Sequence, residues 1–151
     1  MIELILIATP DELKLVEQYV NKTGRTPNRR IIITGVGGVN VFQSLNDIQR
    51  NYPIVNLGYA GSPNHQIGET VKIDASVLYH PNAEYNENSF ILGDGGNICY
   101  TSSDFVTDKV ESGIYDMELA FICAMGFTNV TSYKTISDNM SYEQYENTVQ
   151  K

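Results

Sequence analysis

Apolar residues gather along this chain in short blocks whose period switches between two and 3.6. Ile2 to Ala8 is apolar and β-branched, which predicts a buried strand. Thr9-Pro10-Asp11-Glu12 follows as a helix start, with Thr9 as N-cap, proline at the first helical position and Glu12 three residues after the cap. Leu13, Val16 and Val20 then fall on one helical face. Lys22 to Asn28 is a polar turn. Arg30 to Thr34, built on Ile31-Ile32-Ile33, is a second strand. It runs into Gly35-Val36-Gly37-Gly38 and a helix with Val41, Leu45 and Ile48 on one face. Ile54 to Leu57 is a third short strand, ending at Gly58-Tyr59-Ala60-Gly61. Strands that alternate with helices predict a parallel sheet, and such sheets bind ligands beyond the carboxyl ends of their strands.

The second half is less regular. Thr70 to Tyr79 alternates as one long strand, His80 to Ser89 is polar and loop-like, Asp94-Gly95-Gly96-Asn97 is a turn, and Ile98 to Ser102 is a short strand. Asp116 to Met125 is apolar nearly all round, which predicts a central, buried helix. Val130 to Ile136 is the last strand and ends in Ser137-Asp138-Asn139; Ser141, with Gln144 three residues on, starts a final short helix. No repeat, low-complexity run or linker divides residues 1–151, so the reading is a single α/β domain.

Charge narrows the choice of partner. The formal charge is −8, from 18 acidic against 10 basic residues, with no basic stripe. Nucleic-acid binding depends on phosphate neutralisation by Lys and Arg, so nucleic acid is not an expected partner. No apolar run approaches the ~18 residues of a membrane span, and Met1-Ile2-Glu3-Leu4 lacks the charged start of a secretion signal. The expectation is a cytoplasmic protein with no membrane partner. Cys99 and Cys123 each sit in an apolar stretch without metal or redox spacing, which reads as two buried thiols. No metal site and no cofactor are expected.

Several familiar sites are missing. There is no phosphate-binding Gly-x-x-x-x-Gly-Lys loop and no Gly-x-Ser-x-Gly elbow; Gly35-Val36-Gly37-Gly38 lacks the third glycine of a dinucleotide fingerprint; His65 and His80 are isolated. Three carboxylates remain near element ends, each with an ordinary explanation. Glu12 can complete a capping box with Thr9, Glu118 can complement a helix N-terminus, and Asp138 can make a turn with Asn139.

Their neighbours give them a common context. Ile5-Leu6-Ile7-Ala8-Thr9-Pro10-Asp11-Glu12, Thr34-Gly35-Val36-Gly37, Asn56-Leu57-Gly58-Tyr59-Ala60-Gly61, Ile67-Gly68-Glu69-Thr70-Val71 with Tyr79-His80, Thr101-Ser102-Ser103-Asp104-Phe105-Val106, Asp116-Met117-Glu118, and Lys134-Thr135-Ile136-Ser137-Asp138 follow one another in this order. In that order they resemble the motifs of the nucleoside phosphorylase and nucleosidase superfamily, most closely the methylthioadenosine/S-adenosylhomocysteine nucleosidases. The resemblance spans almost the whole chain, which is shorter than typical members. It implies a three-layer α/β sandwich with a mainly parallel, mixed central sheet.

It also implies a reaction: hydrolysis of the N-glycosidic bond of a (5′-substituted) purine nucleoside such as methylthioadenosine or S-adenosylhomocysteine. Such cleavage passes through an oxocarbenium-like sugar, and the leaving purine needs a proton from a general acid. By resemblance, Asp138 is that acid with Ser137 orienting it, Glu118 holds the ribose hydroxyls with Met117 packed on the sugar, and Glu12 holds the attacking water. Phe105 stacks on the base and the Val106 backbone reads its edge; Thr34, Gly35 and Gly58 border the site. Phosphorylase relatives carry Arg where this chain has Asn56, and Arg25, Arg29, Arg30 and Arg50 all lie outside the matched glycine turns, which favours water over phosphate. The alternatives are phosphorolysis, or a relative that binds a purine nucleoside or nucleotide without cleaving it. Three departures stand out: Tyr59 replaces a serine, Ser103 an aspartate, and Lys134 an arginine whose planar fork is lost. A homodimer is expected, since a neighbouring subunit helps close the pocket in the nucleosidases.

Overall fold

The computed structural model describes residues 2–24, 28–79, 89–107 and 110–150. His80, the loop after it up to Asn88, and Arg25 lie outside these residues.

The first strand explains the layering. In β1 (Glu3–Ile7), side chains alternate between two faces. Leu4 and Leu6 pack with Val41 and Leu45 of α2 (Gly38–Leu45) and Ile122 of α3 (Leu119–Ala124). Ile5 and Ile7 pack on the other face with Leu15 and Val16 of α1 (Leu13–Thr23). Full burial of each such side chain contributes about 1.5–3 kcal/mol. Period two in one strand thus divides the helices into two outer layers. The buried face of α1 is Leu15 and Val16 with Tyr19 and Val20 partly covered, while the expected Leu13 is 43% exposed.

The remaining strands are β2 (Arg29–Ile33), β3 (Ile54–Gly61), β4 (Thr70–Lys72), β5 (Ala75–Leu78), β6 (Ser89–Ile91), β7 (Ile98–Thr101), β8 (Ile114–Asp116) and β9 (Val130–Asp138). They join β1 in one sheet with the path β2-β1-β3-β8-β7-β5-β6, from which β9 branches at β3 and carries β4. The pairs β1–β2, β1–β3, β3–β9, β5–β7 and β7–β8 are parallel; β3–β8, β4–β9 and β5–β6 are antiparallel. The expected three-layer, mainly parallel mixed sheet is therefore present. α4 (Tyr142–Val149) follows β9, with Ser141 as its N-cap accepting the Gln144 N–H at 3.3 Å.

Three expected elements are different. The single strand expected from Thr70 to Tyr79 breaks at a corner: β4 pairs with β9, and β5 pairs with β7 and β6. The corner is made at Asp74, whose carboxylate accepts the Asn97 N–H at 3.1 Å while its own N–H donates to the Asn97 carbonyl at 2.8 Å. Ser89, expected in a loop, is the first residue of β6. The helix expected from Asp116 is a strand end followed by a shorter helix. Asp116 Oδ2 accepts the N–H of Leu119 at 2.8 Å and of Glu118 at 3.3 Å, so Asp116 caps α3 from outside it.

The strands β3 and β9 run longer than expected and set the site. They pair in parallel from Ile54↔Val130 to Ala60↔Ile136, then slip by one residue so that Gly61 meets Asp138. This irregularity swings Asp138 over Gly61, where a Cβ would lie 2.7 Å from Asp138 Oδ2. Only glycine leaves room there.

Candidate functional site

The ends of β1, β3 and β9 and the start of α3 enclose a cavity of about 310 Å³. Open parallel sheets place ligand sites at such ends. Glu12, Glu118 and Asp138 all line it, together with Phe105, Met117 and Ser137. Val106 lines a small recess shared with Phe105, Met117 and Asp138. Thr34, Gly35 and Gly58 stay outside the lining. The Thr34 hydroxyl donates to the Gly35 carbonyl at 2.8 Å, and the turn presents Val36 to the cavity instead. Gly58 lies beneath the site: a Cβ there would be 3.0 Å from Glu12 Oε2 and 3.1 Å from Lys134 Nζ.

Each carboxylate is held by the backbone. Glu12 Oε1 accepts the N–H of Ala8 at 2.7 Å and of Thr9 at 3.4 Å, and Oε2 accepts the Tyr59 N–H at 2.9 Å. The cap role and the site role of Glu12 are thus one geometry, since the side chain that ties down Thr9 belongs to a residue that lines the cavity. Glu118 is the N-cap residue of α3, and its Oε2 accepts the Gly37 N–H at 2.9 Å. Asp138 Oδ1 accepts the Ser137 hydroxyl at 2.7 Å; Oδ2 accepts the N–H of Met140 at 3.0 Å and of Ser141 at 3.2 Å. Asp138 also makes the expected turn, which holds Met140 at φ +69°, a region that non-glycine residues seldom occupy.

A cation that entered the sequence reading only as the replacement for an arginine organises this group. Lys134 is fully buried, and its Nζ lies 2.9 Å from Asp116 Oδ2. Burial alone would lower its pKa, but Asp116, with help from Glu118, raises it above the usual lysine range and keeps it protonated. Burial pushes Asp116 up, yet Lys134, the Thr101 hydroxyl and the Leu119 N–H outweigh it and hold the carboxyl low. Burial, then the charge of Asp116, raises Glu118 to about 7. Burial raises Glu12 as well, partly offset by Lys134. Burial also raises Asp138 despite its three hydrogen-bond donors. The charge of this one lysine thus acts on Asp116, Glu118 and Glu12 together. The signal for Lys134 was its parity: in β9 it shares a face with the buried Ser132 and Ile136.

Aromatic rings close the cavity. Phe105 meets Tyr142 and Tyr145 of α4 edge to face, at centroid distances of 5.3 and 5.5 Å. Tyr59 and Tyr115 also line the cavity, and the Tyr59 ring, on the residue replacing a serine in the glycine loop, packs against the cluster of Leu15, Val16 and Leu57. Ser103 is exposed and does not line the cavity. Asn56 is buried within β3, its Oδ1 accepting the Ser132 hydroxyl at 2.9 Å. Among the described residues no arginine reaches the site: Arg29 pairs with Glu3, Arg50 donates to the carbonyls of Leu45, Ile48 and Met125, and Arg30 is exposed. No described helix is long and apolar enough to cross a membrane.

No protein-family model matches the chain, and no curated protein does. Solved structures do match it over 99% of its length. An MTAN of Chlamydia trachomatis is similar at TM-score 0.77 and 18% identity, with 88% of that chain covered. A 5′-methylthioadenosine/S-adenosylhomocysteine nucleosidase of S. pneumoniae, solved with the transition-state inhibitor MT-ImmA, is similar at 0.75 and 17%, with 93% covered. The futalosine hydrolase of Helicobacter pylori is similar at 0.74 and 14%, with 91% covered. A sheet that branches at β3, two helical layers and a cavity at the strand ends thus place this chain in the fold of the nucleoside phosphorylase and nucleosidase superfamily.

Proposed function

We propose that the chain is a purine nucleosidase that hydrolyses the N-glycosidic bond with water as nucleophile. The observation that carries this reading is the meeting of Glu12, Glu118 and Asp138 in one cavity beside Phe105. Each group has a task that suits its surroundings. Asp138, raised by burial, gives a proton to N7 of the leaving purine, which stacks on Phe105. Glu118 accepts hydrogen bonds from the ribose hydroxyls and, when ionised, stabilises the oxocarbenium-like sugar. Glu12, anchored by three backbone N–H groups, orients the attacking water and takes its proton. Lys134 keeps this acidic basin folded and limits how many of its carboxyls lose their charge.

Water is favoured over phosphate by the same geometry. A phosphate needs free cations or free N–H donors. Among the described residues, Lys134 is committed to Asp116, Lys14 donates to the Val149 carbonyl, and the Gly37 N–H in the glycine turn is committed to Glu118. Base release from a panel of methylthioadenosine, S-adenosylhomocysteine, adenosine, inosine and guanosine tests the reading. Release independent of added phosphate is expected. Strict phosphate dependence would establish a phosphorylase, and binding without release a sequestering protein.

We take the working form to be a cytoplasmic homodimer. Val36 lines the cavity and, with Val39 and Phe42 of α2, is exposed at 44%, 69% and 43%, so a second copy seated on α2 would reach the cavity wall. Sedimentation at micromolar concentration checks this, with a monomer as the contrary result.

A further inference from the structure

α4 brings to the cavity a hydroxyl that no step above uses. The Tyr145 ring lines the cavity and packs against Phe105 at 5.5 Å and Tyr142 at 5.8 Å. Its helix is fixed at the start by the Ser141 cap and by the bonds from Asp138 to the Met140 and Ser141 N–H groups. Among the described residues the Tyr145 hydroxyl has no protein hydrogen-bond partner. Burial, then the charges of Glu12, Asp11 and Glu118, push the phenol up to about 12, so it stays a donor throughout the working pH range. Tyr145 therefore packs on the ring that would stack on the base, within reach of the charges of the carboxylates at the sugar end.

Ribose has two distinct edges. Its 2′- and 3′-hydroxyls lie along one, and C5′ leaves from the other. With the hydroxyl edge on Glu118 at the start of α3, the 5′ edge turns toward α4, which lines the cavity through Tyr142 and Tyr145. We propose that Tyr145 is a specificity-determining residue whose hydroxyl bonds the 5′-oxygen of the ribose, so that the substrates are nucleosides with a free 5′-hydroxyl rather than 5′-thioethers or 5′-phosphates. The proposal rests on the nucleosidase reading for the orientation of the sugar. A thioether sulfur is a weak acceptor and leaves the phenol donor unsatisfied. A 5′-phosphate meets the field of Glu12, Asp11 and Glu118, and the nearby Lys14 already donates to the Val149 carbonyl at 2.9 Å.

The test compares adenosine with 5′-deoxyadenosine, methylthioadenosine and adenosine 5′-monophosphate, and inosine with 5′-deoxyinosine, in the wild-type protein and in Tyr145→Phe. In the wild type, kcat/KM for the 5′-hydroxyl member exceeds that of its 5′-deoxy partner by about tenfold or more. Tyr145→Phe brings that ratio to within about twofold of one. A wild-type ratio near one, a preference for methylthioadenosine, or a ratio that survives Tyr145→Phe overturns the proposal. If no nucleoside releases its base, the hydrolase reading fails by itself. The same ratios are then read as dissociation constants by calorimetry, and a 5′-hydroxyl preference lost in Tyr145→Phe still sustains the role of Tyr145. Absence of binding by every compound overturns both.

Discussion

Asp138→Asn lowers base release by about 10²- to 10⁴-fold and leaves the nucleoside bound. The substitution separates the two things Asp138 does. Its oxygens accept the Ser137 hydroxyl and the N–H groups of Met140 and Ser141, and the asparagine carbonyl oxygen can still accept the turn bonds. The turn that holds Met140 at φ +69° and starts α4 is therefore kept, since asparagine suits such turns as well as aspartate does. What asparagine cannot do is give a proton. Burial raises the Asp138 pKa, so its protonated form persists to higher pH than an ordinary carboxyl and the rate falls as pH rises through that pKa. Asp138→Asn loses this alkaline limb because the amide does not titrate. Stopped-time base release across pH, paired with calorimetric binding, measures both effects. A variant within tenfold of wild type leaves Asp138 with the turn alone.

Lys134→Met is expected to cost about 3–5 kcal/mol of stability, because it leaves Asp116 buried without its cation. For a domain of this size that is roughly 6–20 °C in Tm. Methionine nearly matches the lysine stem in volume, so the loss is electrostatic rather than a cavity. The pH dependence tells the two apart. In the wild type the Asp116 pKa is lowered, so its contribution is present above the unfolded value and fades as pH falls through the folded one. Without Lys134, burial dominates and raises the Asp116 pKa; the variant is then most stable at low pH and weakens as pH rises. The gap in Tm between the two proteins therefore narrows on acidification. Adding Asp116→Asn to Lys134→Met restores much of the loss, since an amide oxygen still accepts the Leu119 N–H. A gap independent of pH would point to packing instead.

Local pattern was enough for the elements whose partners are near in sequence. The isoleucine run of β2, the buried apolar run of β1 and the Ser141–Gln144 cap all appear as read. The failures arise where a distant group intervenes. Alternation from Thr70 to Tyr79 is real, but the chain turns at Asp74 because Asn97 binds it from across a later loop. Asp116 looked like a helix residue until Thr101 and Lys134, from two other strands, occupied its oxygens. The site shows the same division. Glu12, Glu118 and Asp138 were legible through the order of their motifs, whereas Tyr142 and Tyr145 lie in the short final helix and belong to none of those motifs. Nothing near them in sequence reveals that α4 closes over the strand ends.

β9 enters the sheet beside β3 and pairs with it along its whole length, although it is among the last elements of the chain. Until it arrives, β3 has an open edge beyond its β1 pairing, Asp116 has no cation and the cavity has no Asp138. Sheet closure, charge neutralisation and assembly of the site are therefore one folding event that requires contacts of long sequence separation. A ribosome-bound chain that has not yet released β9 is inactive by construction, and regained activity after denaturation is a direct clock for the final docking step.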